Sequence, residues 1–251
     1  TNDTQKTDLI EAGKRLAAVL AALQAKVAPG VTAEELDDLA EQMIRDGGDA
    51  CSFLGYTPEG ANRPYPATLC VSINDEVVHG IPNESVKTLR EGDIVGLDLG
   101  LTHNGIIVDA AITVPVGVVS EETKKLLYAT DNALAAGIAK AVVGNHVGDI
   151  AHAIQKEIED AGFTVVKELG GHGVGELVHE EPFIPNWGRE GEGELLEEGM
   201  VLALEPISSA GKASVMLMPD GYTYRTKDGS KSAHFEHTIL LEKAGARIIT
   251  A

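Results

Sequence analysis

Apolar residues recur at helical spacing at Leu9, Leu16, Leu20, Leu23 and Val27, and Pro29-Gly30 closes that helix. Thr32, with Glu35 three residues on, reads as a capping box that opens a second helix through Leu36, Leu39 and Met43. Gly47-Gly48 ends it. After Ser120 the scheme returns. One helix runs through Leu127, Leu134 and Ile138 toward Gly144, and another carries Ile150, Ile154 and Ile158 as far as Gly162. A fixed offset pairs Lys26 with Lys140, Gly30 with Gly144, Leu36 with Ile150, Asp46 with Asp160 and Gly48 with Gly162. Any one match is chance; together they indicate an internal duplication.

Each half then turns to strand. Arg90 to Asp98 and Glu197 to Glu205 both hold a Glu-Gly turn followed by an apolar run that ends on a carboxylate. The strands that follow also correspond, Asp109-Ala110-Ala111-Ile112 against Glu236-His237-Thr238-Ile239. The repeat therefore sets two acidic residues in each half at equivalent places. The expected fold class is α+β: an antiparallel sheet inside, two pairs of helices outside, and an active site on a pseudo-two-fold axis. No low-complexity linker separates the halves, so residues 1–251 are expected to form one domain, with halves of about 1–118 and 119–251.

A chain of 251 residues with 43% hydrophobic residues can bury a substantial core, and with aromatics at 4% that core must rest on Leu, Ile, Val and Ala. A net charge of −19 argues against nucleic acid, whose phosphates need clustered Lys and Arg, and against an anionic membrane surface. Most of the 39 carboxylates are a solvated surface. Two cysteines, Cys51 and Cys70, imply no disulfide framework and read as small buried apolar residues. No apolar run approaches the length of a membrane span, and the start from Thr1 to Thr7 is polar, unlike a signal sequence. A cytoplasmic, monomeric enzyme is the expectation.

Four carboxylates break this solvated pattern. Asp98 lies inside Ile94-Val95-Gly96-Leu97-Asp98-Leu99, and Asp109 follows Ile106-Ile107-Val108. Thr102-His103-Asn104-Gly105 is a turn signal between them, so the segment reads as a hairpin with Asp98 and Asp109 roughly opposite each other. Two carboxylates in such a place repel and lose hydration, which a cation or a shared proton would offset. Glu205, after Val201-Leu202-Ala203-Leu204, and Glu236, before Thr238-Ile239-Leu240-Leu241, pose the same problem. One such residue would be read as an edge carboxylate facing water. Four of them, paired by a repeat, favour a multinuclear metal site.

His172, in Gly170-Gly171-His172-Gly173-Val174-Gly175, adds an accessible imidazole. The same loop could cradle a phosphate, but it lacks a Lys and the net charge is wrong for nucleotides. One His with four carboxylates is too oxygen-rich for structural zinc and suits Mn, Fe or Co. Two such ions sharing carboxylates would hold a hydroxide between them and polarise a carbonyl, giving amide or ester hydrolysis without a protein nucleophile.

Asp98, Asp109, Gly171-His172-Gly173-Val174-Gly175, Glu205-Pro206 and Glu236-His237-Thr238 resemble the ligand motifs of type I methionine aminopeptidases. The resemblance extends to Ser72 through Pro82, His179-Glu180-Glu181-Pro182, Asp220-Gly221-Tyr222 and Thr226-Lys227-Asp228. It implies the duplicated pita-bread fold and two divalent metal ions per chain (Co, Mn or Fe). Asp98 would chelate one ion, His172 with Glu205 the other, and Asp109 and Glu236 would bridge them. It further implies that His79 contacts substrate near its terminal amine and scissile bond, and that His179 helps polarise the carbonyl. Glu205 would also relay a proton to the leaving amine.

The implied substrate is the N-terminal peptide of nascent proteins whose second residue is small, with ribosome docking left open. Proline-specific peptidases of this fold carry a further N-terminal domain, and type II enzymes a large insertion, for neither of which this chain has room. Tyr65, Cys70, Val178 and Tyr222 fall at methionine-pocket positions. Val178 stands where the family often has a larger aromatic and Tyr222 where it has Trp, so an aminopeptidase of altered side-chain preference is one alternative. A non-catalytic module that binds N-terminal peptides is another. Elsewhere, His103, His146, His152 and His234 read as solvated, with His146 beside a helix cap. His237 points away from Glu236, Arg189 to Gly199 forms a solvated loop, and Trp187 anchors a loop.

Overall fold

The computed structural model describes residues 3–251; of the polar start, Thr1 and Asn2 lie outside the described residues. Helix α1 (Asp3–Lys26) buries Leu9, Leu16, Leu20 and Leu23, the stripe expected from the spacing. Helix α2 (Ala33–Asp46) begins at the capping box read in the sequence: Glu35 N–H donates to Thr32 Oγ1 at 3.2 Å, and Thr32 N–H donates to Glu35 Oε2 at 2.8 Å. Helix α3 (Glu121–Lys140) starts on Ser120, whose Oγ accepts from Thr123 N–H at 3.2 Å. Helix α4 (Val147–Asp160) follows α2 by 114 residues at both ends, and His146 is itself its N-cap residue, with its N–H donating to Asp149 Oδ2 at 2.7 Å. The duplication is thus present at the level of whole helices and their caps.

Among the described residues nine strands build the main sheet: β1 (Ala50–Cys51), β2 (Leu69–Ile73), β3 (Ile94–His103), β4 (Ile106–Pro115), β5 (Gly170–Gly173), β6 (Glu180–Pro185), β7 (Val201–Leu204), β8 (Glu236–Glu242) and β9 (Gly245–Ile248). They lie in the order β1-β3-β4-β8-β7-β5-β6, with β2 also pairing β3 and β9 also pairing β8. The two halves join where β4 pairs β8, and again in a small separate sheet where Glu76–Val78 pairs Tyr224–Thr226. Side chains alternate across the strands. Leu97, Leu99 and Val108 pack with α1 and α2, while Leu202, Leu204, Ile239 and Leu241 pack with residues of α3 and α4. Each fully buried Leu or Ile among them stabilises the fold by about 1.5–3 kcal/mol. The residues between them are left for the opposite face.

Two expectations need correction. Asp98 and Asp109 are not opposite each other: Asp98 faces Ala111 and Asp109 faces Gly100. The tight turn sits at Asn104-Gly105, closer to Asp109 than to Asp98, so the two acids are diagonal neighbours on one face, still within reach. In the second half the register differs. His237 pairs Leu204 in the main sheet, and beyond a break His234 pairs Ile207 in a smaller sheet, so the same register sets Glu205 facing Glu236. The acid pairs of the two halves therefore differ by a two-residue step. No helix among the described residues is long and apolar enough to cross a membrane.

Candidate metal centre

The register places the acids and His172 in two adjacent rows on the face turned away from the helices. One row runs Asp98, Ala111 and Glu236 across β3, β4 and β8, and continues to Glu205 at the end of β7. The next runs Gly100, Asp109, Thr238, Ala203 and His172. Thr238 Oγ1 ties the second row together, accepting from Asp109 N–H at 2.9 Å and donating to Asp109 O at 2.7 Å. Ala111 and Ala203 stand between the polar groups and leave a hollow beneath them. His172 reaches it because Gly171 lets β5 lie tight on β7; a Cβ at that position would meet Ala203 O at 2.2 Å.

Asp109, His172 and Glu236 offer ligand atoms that all lie within 4.8 Å of one another. Glu205 Oε1 is 3.5 Å from His172 Nε2. Asp98 adjoins Asp109, and each carboxyl bears on the ionisation of the other. Asp98 Oδ1, Asp109 Oδ1 and Glu236 Oε1 are buried without a hydrogen-bond partner. Buried polar atoms are ordinarily satisfied, and an orphan costs about 1–3 kcal/mol or more when charged. Burial drives all four carboxyls upward, Asp98 to about 7 and Asp109, Glu205 and Glu236 well above the ordinary range, and repulsion among neighbouring acids adds to the last three.

His172 supplies the complementary group. Its Nδ1 lies 2.9 Å from Gly173 O, a carbonyl that can only accept, so the proton sits on Nδ1 and Nε2 carries the lone pair. Burial, helped by nearby His179, lowers its pKa to about 4, which keeps the ring neutral at physiological pH. Buried acids with unsatisfied oxygens, around a neutral imidazole nitrogen aimed the same way, suit a divalent cation of the Mn, Fe or Co type.

The hollow opens into a cavity of about 70 Å³ lined by Phe53, Tyr56, Tyr65, Cys70, His79, Val178, His179 and Tyr222. Its walls are more apolar than the residue names suggest. Tyr65 OH lies 3.3 Å from Leu69 O and 3.1 Å from Gly80 O, and Tyr222 OH donates to Arg63 O at 2.5 Å. The two rings meet edge to face with centroids 5.1 Å apart. The hydroxyls are thereby spent on the backbone and the cavity is left with ring carbons. His79 enters it from a left-handed backbone (φ 57°), a costly conformation for a non-glycine residue. Burial lowers its pKa to about 4. His179 packs edge to face on His172 at 4.4 Å, and its Nδ1 is 3.0 Å from Tyr56 OH.

Every residue singled out in the sequence as ligand or pocket wall thus lines one site. Sequence reasoning missed three others. Phe53 and Tyr56 line the cavity, and their signal was concentration: four of the ten aromatic residues in an aromatic-poor chain converge here. His234 is the clearer correction. It is buried, with Nε2 3.5 Å from Glu236 Oε2 and 3.6 Å from Glu205 Oε2. Its signal was position, two residues before Glu236 on one strand face. His103 is not solvated either, since its Nδ1 lies 2.7 Å from Asp49 Oδ1, and His146 and His152 are half-buried. His237 does point away, its Nδ1 2.9 Å from Thr250 Oγ1, and Trp187 does anchor its loop, Nε1–H donating to Lys167 O at 3.2 Å.

Comparison with known proteins bears on this centre. The metallopeptidase family M24 profile matches residues 8–243. The methionine aminopeptidase of Clostridium acetobutylicum is 42% identical over 249 residues, covering 99% of this chain and 97% of that protein. Methionine aminopeptidase 1 of Mycobacterium tuberculosis is 44% identical, covering 95% and 90%. The crystal structure of methionine aminopeptidase from Thermotoga maritima superposes with a TM-score of 0.95 at 39% identity, over 100% of this chain and 98% of that one. The Xaa-Pro dipeptidase of Bacillus anthracis shares the fold alone, with a TM-score of 0.76 at 23% identity, over 100% of this chain and 61% of that one.

Proposed function

The chain belongs to metallopeptidase family M24 and adopts its pita-bread fold, and from that premise we propose that it removes the N-terminal methionine of peptides whose second residue is small. Asp98, Asp109, His172, Glu205 and Glu236 would hold the two divalent ions that this reading requires. The observation that carries this reading is the junction of three buried, orphaned carboxylate oxygens with a largely apolar cavity. A cavity of ring carbons with Cys70 and Val178 suits a flexible, unbranched thioether.

When bound, divalent ions at such a centre polarise the scissile carbonyl and make water acidic enough to attack it. The protein's own groups then do three things. The cavity takes the first side chain and so fixes which amide reaches the acids, a positioning effect. His179 donates a hydrogen bond to the amide oxygen from Nε2. Tyr56, as a phenol donating to Nδ1, holds the tautomer in which Nε2 carries the proton. Burial raises the pKa of Tyr56, which keeps it a donor. His79, neutral at physiological pH, hydrogen-bonds the substrate near its terminal amine, and Glu205 moves a proton to the leaving amine.

The test is to load the purified chain with Mn or Co and follow a Met-Ala-Ser peptide by mass spectrometry beside Leu-Ala-Ser. Release of Met alone supports the proposal. Equal cleavage of both peptides would favour an altered side-chain preference, and tight binding without cleavage would leave only a binding module.

A further inference from the structure

His234 has no part in the assignment above, yet it is among the most enclosed polar groups of the site. It is 4% exposed, and its Nε2 is buried with no hydrogen-bond partner. Its backbone is held on two sides. It pairs with Ile207, its N–H donates to Thr113 Oγ1 at 2.9 Å, and its carbonyl accepts from the same hydroxyl at 2.7 Å. That register puts it two residues before Glu236 and across from a residue two after Glu205. It is therefore one row behind both acids, on the side opposite His172.

Atom by atom, the consequence is specific. Glu205 Oε1 lies 3.5 Å from His172 Nε2, whereas Glu205 Oε2 lies 3.6 Å from His234 Nε2. Glu236 Oε2 lies 3.5 Å from the same His234 nitrogen, and Glu236 Oε1 is the oxygen left without a partner. Each acid thus turns one oxygen back toward His234 and the other forward into the hollow. A separation of 3.5 Å is too long for an ordinary hydrogen bond. It is short enough to close by a small side-chain movement when the acids are charged.

We propose that His234 is a positioning residue whose Nε2–H is shared between the rear oxygens of Glu205 and Glu236, fixing their forward oxygens for the ion. This rests on the reading of Glu205 and Glu236 as ligands. Partners of this kind behind a ligand set its orientation and basicity, and their loss typically costs ten- to a hundredfold in metal affinity. An imidazole suits the task because its single rigid N–H reaches both acids from a strand that is already anchored.

The experiment is calorimetric titration of the chelator-stripped full chain with Mn²⁺, comparing wild type, His234→Leu, His234→Gln and Glu236→Gln, with melting temperatures of each metal-free protein. Leu fills the space without a donor, whereas Gln offers an amide N–H toward the same oxygens. The expected result is an Mn²⁺ affinity about ten- to a hundredfold weaker in His234→Leu. His234→Gln should recover most of that loss, although both variants melt near wild type when metal-free. A His234→Leu protein that binds Mn²⁺ like wild type while Glu236→Gln does not would overturn the proposal and leave the ligand assignment standing. Unchanged binding in Glu236→Gln would overturn the ligand assignment itself. A pulsed-resonance signal from a nitrogen directly on the ion, lost in His234→Gln, would make His234 a ligand and also overturn the positioning role. Should His234→Leu fail to fold, His234→Asn, whose amide stops short of both acids, carries the same expectations.

Discussion

Replacing Asp98 by Asn should stabilise the metal-free protein at neutral pH and weaken the metal-loaded one. Asp98 is buried among other acids and ionises at about 7 instead of the ordinary 3.8. The folded state thus keeps this proton to a higher pH than the unfolded chain does. Stability is undiminished below the ordinary value and falls as pH rises toward about 7, by about 4 kcal/mol once the group is charged. For a chain of this length, 1 kcal/mol corresponds to about 2–4 °C in melting temperature, so the full effect is roughly 10 °C. His79 and His172, lowered to about 4, act in the opposite sense, because the unfolded chain takes up their protons first. Asp37, raised to about 6 by burial, acts in the same sense as Asp98. All three are present in both proteins, so the difference between Asp98→Asn and wild type reports the Asp98 carboxyl together with the relief of its repulsion on Asp109, Glu205 and Glu236, which acts in the same direction. Scanning calorimetry in chelator should give a small gap at pH 4.5 that widens, in favour of the variant, up to pH 8. Saturating Mn²⁺ should reverse the order, because the amide cannot neutralise the cation. A gap independent of pH, or a variant that melts below wild type in chelator at pH 8, would refute the reasoning.

Exhaustive chelation should abolish peptide cleavage, and Mn or Co should restore it; activity in demonstrably metal-free protein would contradict the assignment. His179→Ala should lower kcat by roughly a hundredfold or more with little change in KM and unchanged metal content, as for losing one donor to a developing oxyanion. Tyr56→Phe removes the 3.0 Å contact to His179 and should cost about three- to tenfold in kcat, read beside the alanine variant in the same assay. Gly171→Ala would drive a methyl against Ala203 O, separate β5 from β7 and lose about 1–3 kcal/mol, seen as a lower melting temperature together with weaker Mn²⁺ binding.

What the sequence disclosed, and what it withheld, follows from the range of each physical signal. The four helices were legible because their apolar stripes, caps and terminal glycines are local, and the two short ones recur at one fixed interval. Asp98, Asp109, Glu205 and Glu236 stood out because an acid within a run of Leu, Ile and Val conflicts with its neighbours. The hairpin was found, but its register was not. A displacement of the tight turn by one residue changes which side chains face each other, and nothing near Thr102 or His103 marks that choice. His234 escaped because Ser232-Ala233-His234 is short and carries no apolar run to conflict with. Its burial comes from Thr113, Ile207 and the two acids, all distant in sequence but for Glu236. For Tyr56 the aromatic concentration hinted at the cavity but not at its partner, since His179 lies in the other half.

The meeting of β4 with β8 has a consequence for assembly of the chain. Ladder pairing between the halves is confined there to Glu236 with Ala111 and His237 with Ala110, strengthened by Thr238 against Asp109. The acids of the first half and those of the second are gathered on this short seam. As the seam closes without an ion, acids that repel one another are brought together across only two ladder pairs. With an ion, the same closure is drawn shut. With the ligand set proposed above, neither half would hold all of the ligands, so tight uptake of a cation would wait until both have docked. A tightly held ion would then be the molecule's own record that its two halves have met in register.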